Sequence, residues 1–318
     1  MKRVTRFTAI MAAAAVGLTL SACSPEQEAS SDESSGSLGK ITVSIPPVAD
    51  SLPVFVAIDN GYFDDLGLEV ELVPAANGAT AVNSLVSQST DVALVSVPTL
   101  ISAKAGGLPV TIAALGIEGV DDYEAAIYVL EDSPIDDLEG LIGKKMATPS
   151  LKSIGDIFAR GELLDANQDP EGVQYVELPQ SNMASALSAG DVDAAFITEP
   201  TLSEIRKTLE LRPLAVQNGP QGLFATSEDT LDERSDAIKA FREAIAKGVA
   251  DIEEDPSGVA EATMPNHTSM DANTAANMKL PRYVTEFDPS GFQDMVDLML
   301  EVKLIEKKIE AKDFYRSL

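Results

Sequence analysis

Two stretches of this chain match one another. Ser84–Leu100 reads SLVSQSTDVALVSVPTL and Ala184–Leu202 reads ASALSAGDVDAAFITEPTL. Leu187, Asp193, Ala195, Pro200, Thr201 and Leu202 repeat Leu85, Asp91, Ala93, Pro98, Thr99 and Leu100 at a constant offset of 102 residues. An ungapped internal match of this kind implies two lobes built from the same helix–strand–helix unit. In the second copy a helix ends at the Gly190-Asp191 turn, a buried strand runs through Ala194–Ile197, and a new helix starts at Thr198-Glu199-Pro200 and runs to about Leu209. A strand that hands over to a helix beside a proline leaves backbone N–H groups pointing outward, where they can hold a polar ligand. Two such junctions facing each other make a clamp.

The chain has 318 residues, room for two domains of ordinary size, and its 45% apolar content is that of a soluble protein. Residues 1–22 differ in character: Lys2, Arg3 and Arg6 precede the apolar run Ala9–Leu20. This is the pattern of a signal peptide. Leu20-Ser21-Ala22-Cys23 resembles a bacterial lipobox, and Cys23, the single cysteine, is the expected lipid attachment site. Residues 23–39 are Ser-rich and acidic and read as a flexible tether. The formal net charge of −28 makes nucleic acid an unsuitable partner, because phosphate binding needs a basic footprint.

Further along, strands alternate with helices, the mark of an α/β fold with a mostly parallel sheet covered on both faces. Strands are expected at Ile41–Ile45, Leu68–Val73, Val92–Val95, Val110–Leu115, Ala126–Leu130, Lys145–Thr148, Val173–Leu178, Ala194–Ile197 and Leu214–Val216. Asp121–Glu124 reads as one crossing between lobes and Gly219–Gly222 as a second, which makes a two-segment hinge. A run of helices follows: Thr230–Glu253, Asp271–Met278, Pro289–Leu300 and a charged helical tail over Lys303–Tyr315. The expected organisation is lobe one at 40–122 and 223–318, and lobe two at 123–222.

In this order and spacing the chain resembles the solute-binding proteins of ABC importers for nitrate, sulfonates, taurine and thiamine pyrimidine precursors. The residues that carry the resemblance are Leu52-Pro53 through Ala57, Gly61-Tyr62-Phe63, Gly67-Leu68-Glu69-Val70, Asp137-Leu138 to Gly143-Lys144, Gly190–Ala194 and Glu199-Pro200. The resemblance implies a two-lobed, periplasmic-binding-protein-like clamp. It would be a monomer anchored by lipid on the extracytoplasmic face of the cell membrane, delivering a small-molecule solute to an ABC permease. A surface lipoprotein that senses a ligand and signals to a receptor is the alternative. Family members that bind pyrimidines tend to carry an aromatic residue at the end of the first strand and a histidine before the first helix; here those places hold residues of Ile45-Pro46-Pro47 and Asp50-Ser51, and the chain has no tryptophan.

Ligands of open α/β sheets bind beyond the carboxyl ends of the strands. The candidate binding residues are therefore Pro47, Asp50, Ser51, Ser96, Val97, Ser150, Lys152, Ser153, Asn182, Thr198 and Glu199. Serine hydroxyls and Lys152 suit an acidic headgroup, and Glu199 suits an ammonium or amide hydrogen, so a taurine-like zwitterion or a neutral heterocycle fits better than nitrate. Several also have a purely local use: Asp50, Ser51, Ser150 and Ser153 as helix caps, Lys152 as a solvated side chain, and Glu199 against a helix dipole. His267, the single histidine, reads as exposed in a polar loop. Catalysis is not expected. The chain has one histidine and no GxSxG, HExxH, GxGxxG or Walker A motif, and no cofactor or metal is called for. Asp165, Asn167 and Asp169 open like a calcium loop, but Pro170 and Val176 stand where glycine and glutamate are needed.

Overall fold

A computed structural model describes residues 37–74, 77–120 and 125–318. The expected signal segment, Cys23, most of the tether and the Asp121–Glu124 crossing lie outside the described residues. Strands β1 (Gly39–Ile45), β2 (Leu68–Pro74), β3 (Val92–Ser96), β4 (Val110–Gly119), β10 (Gly219–Ser227) and β11 (Arg282–Tyr283) form one sheet, in the order β11-β4-β10-β3-β1-β2. Strands β5 (Ala126–Leu130), β6 (Lys145–Thr148), β7 (Gln174–Glu177), β8 (Ala194–Ile197) and β9 (Leu211–Val216) form the other, in the order β7-β6-β8-β5-β9.

Helices α1 (Leu52–Asp59), α2 (Tyr62–Asp65), α3 (Gly78–Val86), α4 (Val97–Ala105), α8 (Glu228–Glu233), α9 (Ser235–Glu254), α10 (Pro256–His267), α11 (Ala272–Asn277) and α12 (Pro289–Glu301) accompany the first sheet. Helices α5 (Ile154–Asp165), α6 (Gln180–Ala189) and α7 (Thr201–Ile205) belong to the connections of the second. This is the two-lobed α/β architecture expected from the sequence.

The internal repeat is a repeat of structure. In each sheet a strand is flanked on one side by a parallel neighbour: β3 by β1 (Val43↔Val92) and β8 by β6 (Met146↔Ala194). The matched aspartates do the same work at the start of those strands. Asp91 donates its N–H to the Thr42 carbonyl and accepts the Thr42 N–H on its carboxylate, at 3.0 and 2.8 Å. Asp193 makes the same pair of bonds with Lys145, at 2.8 and 2.9 Å. Each carboxylate satisfies the amide where the neighbouring ladder begins, so register is set at the strand entrance.

Alternation places Ile41, Val43 and Ile45 of β1 on the face covered by α1, α9 and α10, all 5% exposed or less. The other face is covered by α3, α4 and α12. Helix α1 is buried from Leu52 through Ala57, because it is enclosed by the sheet, α9 and α10. In the second lobe α5 covers one face around Phe196, and α6 with α7 covers the other around Tyr128.

The two lobes share strands. Chain β4–β5 and chain β9–β10 run antiparallel to each other in both sheets, paired as Gly119↔Gly219 in one and Ala126↔Val216 in the other. The Gln217 N–H donates to the Ala125 carbonyl at 2.7 Å, so pairing continues toward the crossing. The return crossing is thus Gln217–Asn218. Gly219–Gly222, expected as the crossing itself, are already in β10, because β4 offers them ladder partners.

Three helical expectations are also corrected. The Thr230–Glu253 helix is broken at Arg234 into α8 and α9. The helix after Glu199 ends at Ile205 rather than near Leu209. The Lys303–Tyr315 tail holds only a 3₁₀ turn at Ala311–Phe314, which drops Phe314 into the core beside Phe292. Charge in that tail marked exposure, not helicity.

A methyl group on buried Gly119 would overlap the Gln217 carbonyl of the neighbouring crossing. Gly119→Ala is expected to destabilise the protein by about 2–3 kcal/mol, read as a lower urea midpoint, with Gly291→Ala, in α12 with only ordinary contacts around an added Cβ, as the comparison.

Candidate functional site

The junction after β1 is built from Pro46–Ser51 and closes with a 3₁₀ turn at Ala49–Ser51. Ser51 is fully buried, and its hydroxyl donates to the Pro46 carbonyl at 2.6 Å instead of capping α1. The Tyr283 hydroxyl donates to the Ala49 carbonyl at 2.8 Å. Burial first, and then the charge of Asp50, raise the Tyr283 phenol well above its ordinary value, so it stays a donor. After β3, Ser96 caps α4 by accepting the Thr99 N–H at 3.3 Å. Val97, expected at the site, is 2% exposed and packs in the core.

In the second lobe, β6 and β8 are parallel neighbours, so their carboxyl ends deliver Pro149–Ser153 and Thr198–Pro200 to the same sheet edge. Thr198 is held by a reciprocal pair: its N–H donates to Gln180 Oε1 at 3.1 Å, and Gln180 Nε2 donates to its hydroxyl at 2.8 Å. Glu199 is 2% exposed. Its carboxylate accepts the Ser203 N–H and hydroxyl at 3.0 and 2.9 Å, and the peptide bond to Pro200 is cis. The helix-terminus use of Glu199 is therefore present. The junction loops are fixed by side chains, which is the condition for presenting ligand groups in one geometry.

A cavity of about 310 Å³ opens between the lobes. Pro47 and Thr268–Asp271 line it from the first lobe, and Pro200, Glu204 and Lys207 from the second. Of the expected site residues, Pro47 is on its wall, and Thr198 and Glu199 lead directly into Pro200. Asp50, Ser51, Ser96, Ser150, Lys152, Ser153 and Asn182 are not on that wall; Val97 borders a separate crevice of about 30 Å³ beside the hinge strands.

Sequence reasoning missed the rim of this cavity. Lys207 donates to Glu204 at 2.7 Å on its own lobe and to Thr274 Oγ1 at 2.9 Å on the other, with Asp271 at 3.4 Å. Asp271 caps α11 through the Thr274 N–H and hydroxyl, at 2.9 and 2.6 Å. These residues are far apart in the chain and form no motif; only the Asp-x-x-Thr cap at Asp271–Thr274 was legible. His267 is corrected from exposed loop to helix end. Its ring stacks on Phe55 at 4.4 Å with planes 4° apart, and Nε2 lies 2.8 Å from Asp59. That contact anchors the segment leading to Thr268. Asp165–Asp169 is a turn with Asn167 at φ 58°, and among the described residues no group of three or more His, Cys, Asp or Glu converges as metal ligands.

A family model described as NMT1/THI5 like matches residues 48–259, and the chain belongs to that family. A Bacillus subtilis relative named "Putative aliphatic sulfonates-binding protein" is 25% identical over 276 residues, covering 82% of this chain and 81% of that one. A Saccharomyces cerevisiae 4-amino-5-hydroxymethyl-2-methylpyrimidine phosphate synthase is 28% identical over 100 residues, 31% of this chain and 29% of that one. Among solved structures, the alkanesulfonate-binding protein SsuA from Xanthomonas axonopodis pv. citri bound to MOPS superposes with a TM-score of 0.73 at 17% identity, covering 87% of this chain and 98% of that one. The two-lobed binding-protein fold is therefore this chain's fold.

The Lys207 contact joins the lobes at the cavity mouth. Hydrogen bonds from Thr274 hold the Asp271 carboxyl at about 2, below its ordinary 3.8, so this end of the contact is complete above 3.8 and is lost as pH falls through about 2. Glu204 raises the Lys207 ammonium above 10.5, so the other end is complete below 10.5 and is lost as pH rises past its raised value. Lys207→Ala is expected to increase the radius of gyration in small-angle scattering at pH 7, toward that of wild type at pH 2. An unchanged value at pH 7 would show that the contact does not hold the lobes together.

Proposed function

We propose that the protein is the extracytoplasmic solute-binding component of an ABC importer. It captures a small organic solute between its lobes and delivers it to a membrane permease. The observation that carries this reading is the cavity walled by both lobes at the carboxyl ends of β1 and β8. Its supports in kind are the family and a relative, matched over most of both chains, that is named for sulfonate binding.

The solute we favour is a small sulfonate, or a zwitterion with a comparable acidic headgroup. Lys207 stands on the wall with Glu204 and Asp271, so both signs of charge are offered, and no aromatic ring lines the cavity to stack on a heterocycle. The match to the pyrimidine phosphate synthase covers too little of either chain to carry an enzymatic reading. Residues 1–22 act as a signal peptide and Cys23 as a lipid anchor in this proposal, with residues to 39 as the tether. Strand β10 returns the chain to the first lobe, so lobe two spans about 123–218 and the remainder forms lobe one. Among the described residues no helix is long and apolar enough to cross a membrane. The protein works as a monomer that alternates between open and closed lobes, solute stabilising the closed form by its higher affinity for it.

The test is a thermal-shift and calorimetry panel on residues 37–318 with taurine, alkanesulfonates, nitrate and an aminopyrimidine. A ligand at a hundred times its dissociation constant adds about 2.7 kcal/mol of stability, a shift of several degrees. We expect it with a sulfonate-bearing compound. A response confined to the aminopyrimidine would overturn the solute class. Binding without a decrease in the radius of gyration would overturn lobe closure.

A further inference from the structure

Away from the interlobe cavity, the first lobe holds a second crevice of about 230 Å³, between α3 and the β1–β2 edge of its sheet. It exists because α3 sits off-centre. Ala81, Val82 and Leu85 pack over β3 and β10, in the cluster that holds Ala93, Val95 and Leu223. Thr80 and Ser84, one helical turn apart, line the crevice instead. The crevice shares no lining residue with the interlobe cavity.

Strand alternation puts Lys40, Thr42 and Ser44 on one face of β1, opposite Ile41, Val43 and Ile45. The first two find partners within the protein. Lys40 pairs with Glu71 at 2.5 Å, and Thr42 Oγ1 donates to Asp91 at 3.0 Å. Ser44 finds none. It is 4% exposed, lines the crevice, and its hydroxyl makes no hydrogen bond among the described residues. Thr90, just before β3, repeats this: 5% exposed, on the wall, and unbonded through its hydroxyl. The hydroxyls of Thr80 and Ser84 also lack a protein partner, whereas Ser89 Oγ donates to the Ser84 carbonyl at 3.2 Å. Buried polar groups are as a rule bonded, and leaving one unmade is costly. Four hydroxyls from separate elements that converge on one space, two of them buried, are arranged for a molecule from outside.

The wall sets the class of that molecule. Among the described residues no charged side chain lines the crevice, so an ion would find no counter-charge there. The charges of Lys40 and Asp91 beside it are already paired, with Glu71 and with Arg234. A hydroxyl both donates and accepts, and a set of hydroxyls is matched by another set. The rest of the wall is apolar, from the end of β2 and from α3, and suits C–H groups.

We propose that this crevice is a second ligand site, for a small neutral polyol held by the hydroxyls of Ser44, Thr80, Ser84 and Thr90. Its occupant joins α3 to β1 and stabilises the first lobe without touching the interlobe cavity. The site stands independently of the solute-binding reading above.

The experiment is a calorimetric titration of the full-length chain with glycerol, erythritol and glucose, and with sodium sulfate as the charged comparison. At least one polyol is expected to give a saturable heat. Ser44→Ala and Thr90→Val are each expected to weaken that binding roughly tenfold, the loss of one hydrogen bond. Without ligand, both variants are expected to melt at or above the wild-type temperature, because each removes a buried hydroxyl that has no protein partner. Ser84→Ala, at a half-buried position of α3, carries the affinity test should either of those variants fail to fold. Polyols also stabilise proteins by exclusion from their surface, which raises the melting temperature with concentration and does not saturate. That rise alone, equal in wild type and variants, would overturn the proposal. So would a saturable heat that the variants leave intact, no heat with any polyol, or a heat from sulfate alone that the variants abolish.

Discussion

The structure depends on a two-stranded ribbon that belongs to both sheets. Chains β4–β5 and β9–β10 are antiparallel partners in the first sheet and again in the second. Neither sheet is complete without a strand that has just crossed from the other lobe. The ribbon's two chains approach so closely that Gly119 has no room for a side chain against Gln217 and Gly116 none against Gly222. Gln217 and Gln221 are buried there and bonded side chain to side chain, which satisfies polar groups that a hinge would otherwise leave unmade. Among the described residues, the chain passes back from the second sheet to the first at Gln217–Asn218.

Strand ends from both sheets meet at the cavity. The β1 and β8 junctions share the cavity through Pro47 and Pro200. Asp91 and Asp193 set the register of β3 and β8 by the same pair of bonds, so the repeat preserves the entrance of the strand as well as its exit. Contact also exists away from the cavity: Ile157 of α5 is buried in the cluster around Val296 and Met299, and Gly161 faces Leu298. The lobes therefore touch through α5 as well as through Lys207.

Much of the fold was legible because its signals are local or periodic. Alternation marked β1, proline and serine marked the start of α4, and the repeat announced two lobes before any contact was known. The misreadings have one cause each. Gly219–Gly222 looked like a loop because glycine and proline usually punctuate, yet a partner strand overrode composition. Charge at Lys303–Tyr315 indicated a solvated helix, but Phe314 and Ala311 had a core to enter. At the site, the rim residues Lys207 and Asp271 are joined only by folding. Side-chain direction is the information that a single sequence lacks. Ser51 shows this best: it was marked for its hydroxyl, which the fold turns inward to the Pro46 carbonyl.

The acidity of the chain does not oppose an acidic solute. A formal charge of −28 acts at distances that salt screens within about 8 Å at physiological ionic strength, whereas a headgroup at the cleft is sensed by donors in contact with it. What matters is which cations remain available once the acids have taken theirs. Arg160, Arg212 and Arg234 are tied into the fold, Arg234 by Asp91 and the Lys40 carbonyl. Lys207 is shared between rim acids and a threonine hydroxyl, an arrangement that can open for a ligand with little loss, because exposed ion pairs are weak. Acids thus tie down several of the cations that build the lobes, while Lys207 stays on the exposed rim of the cavity.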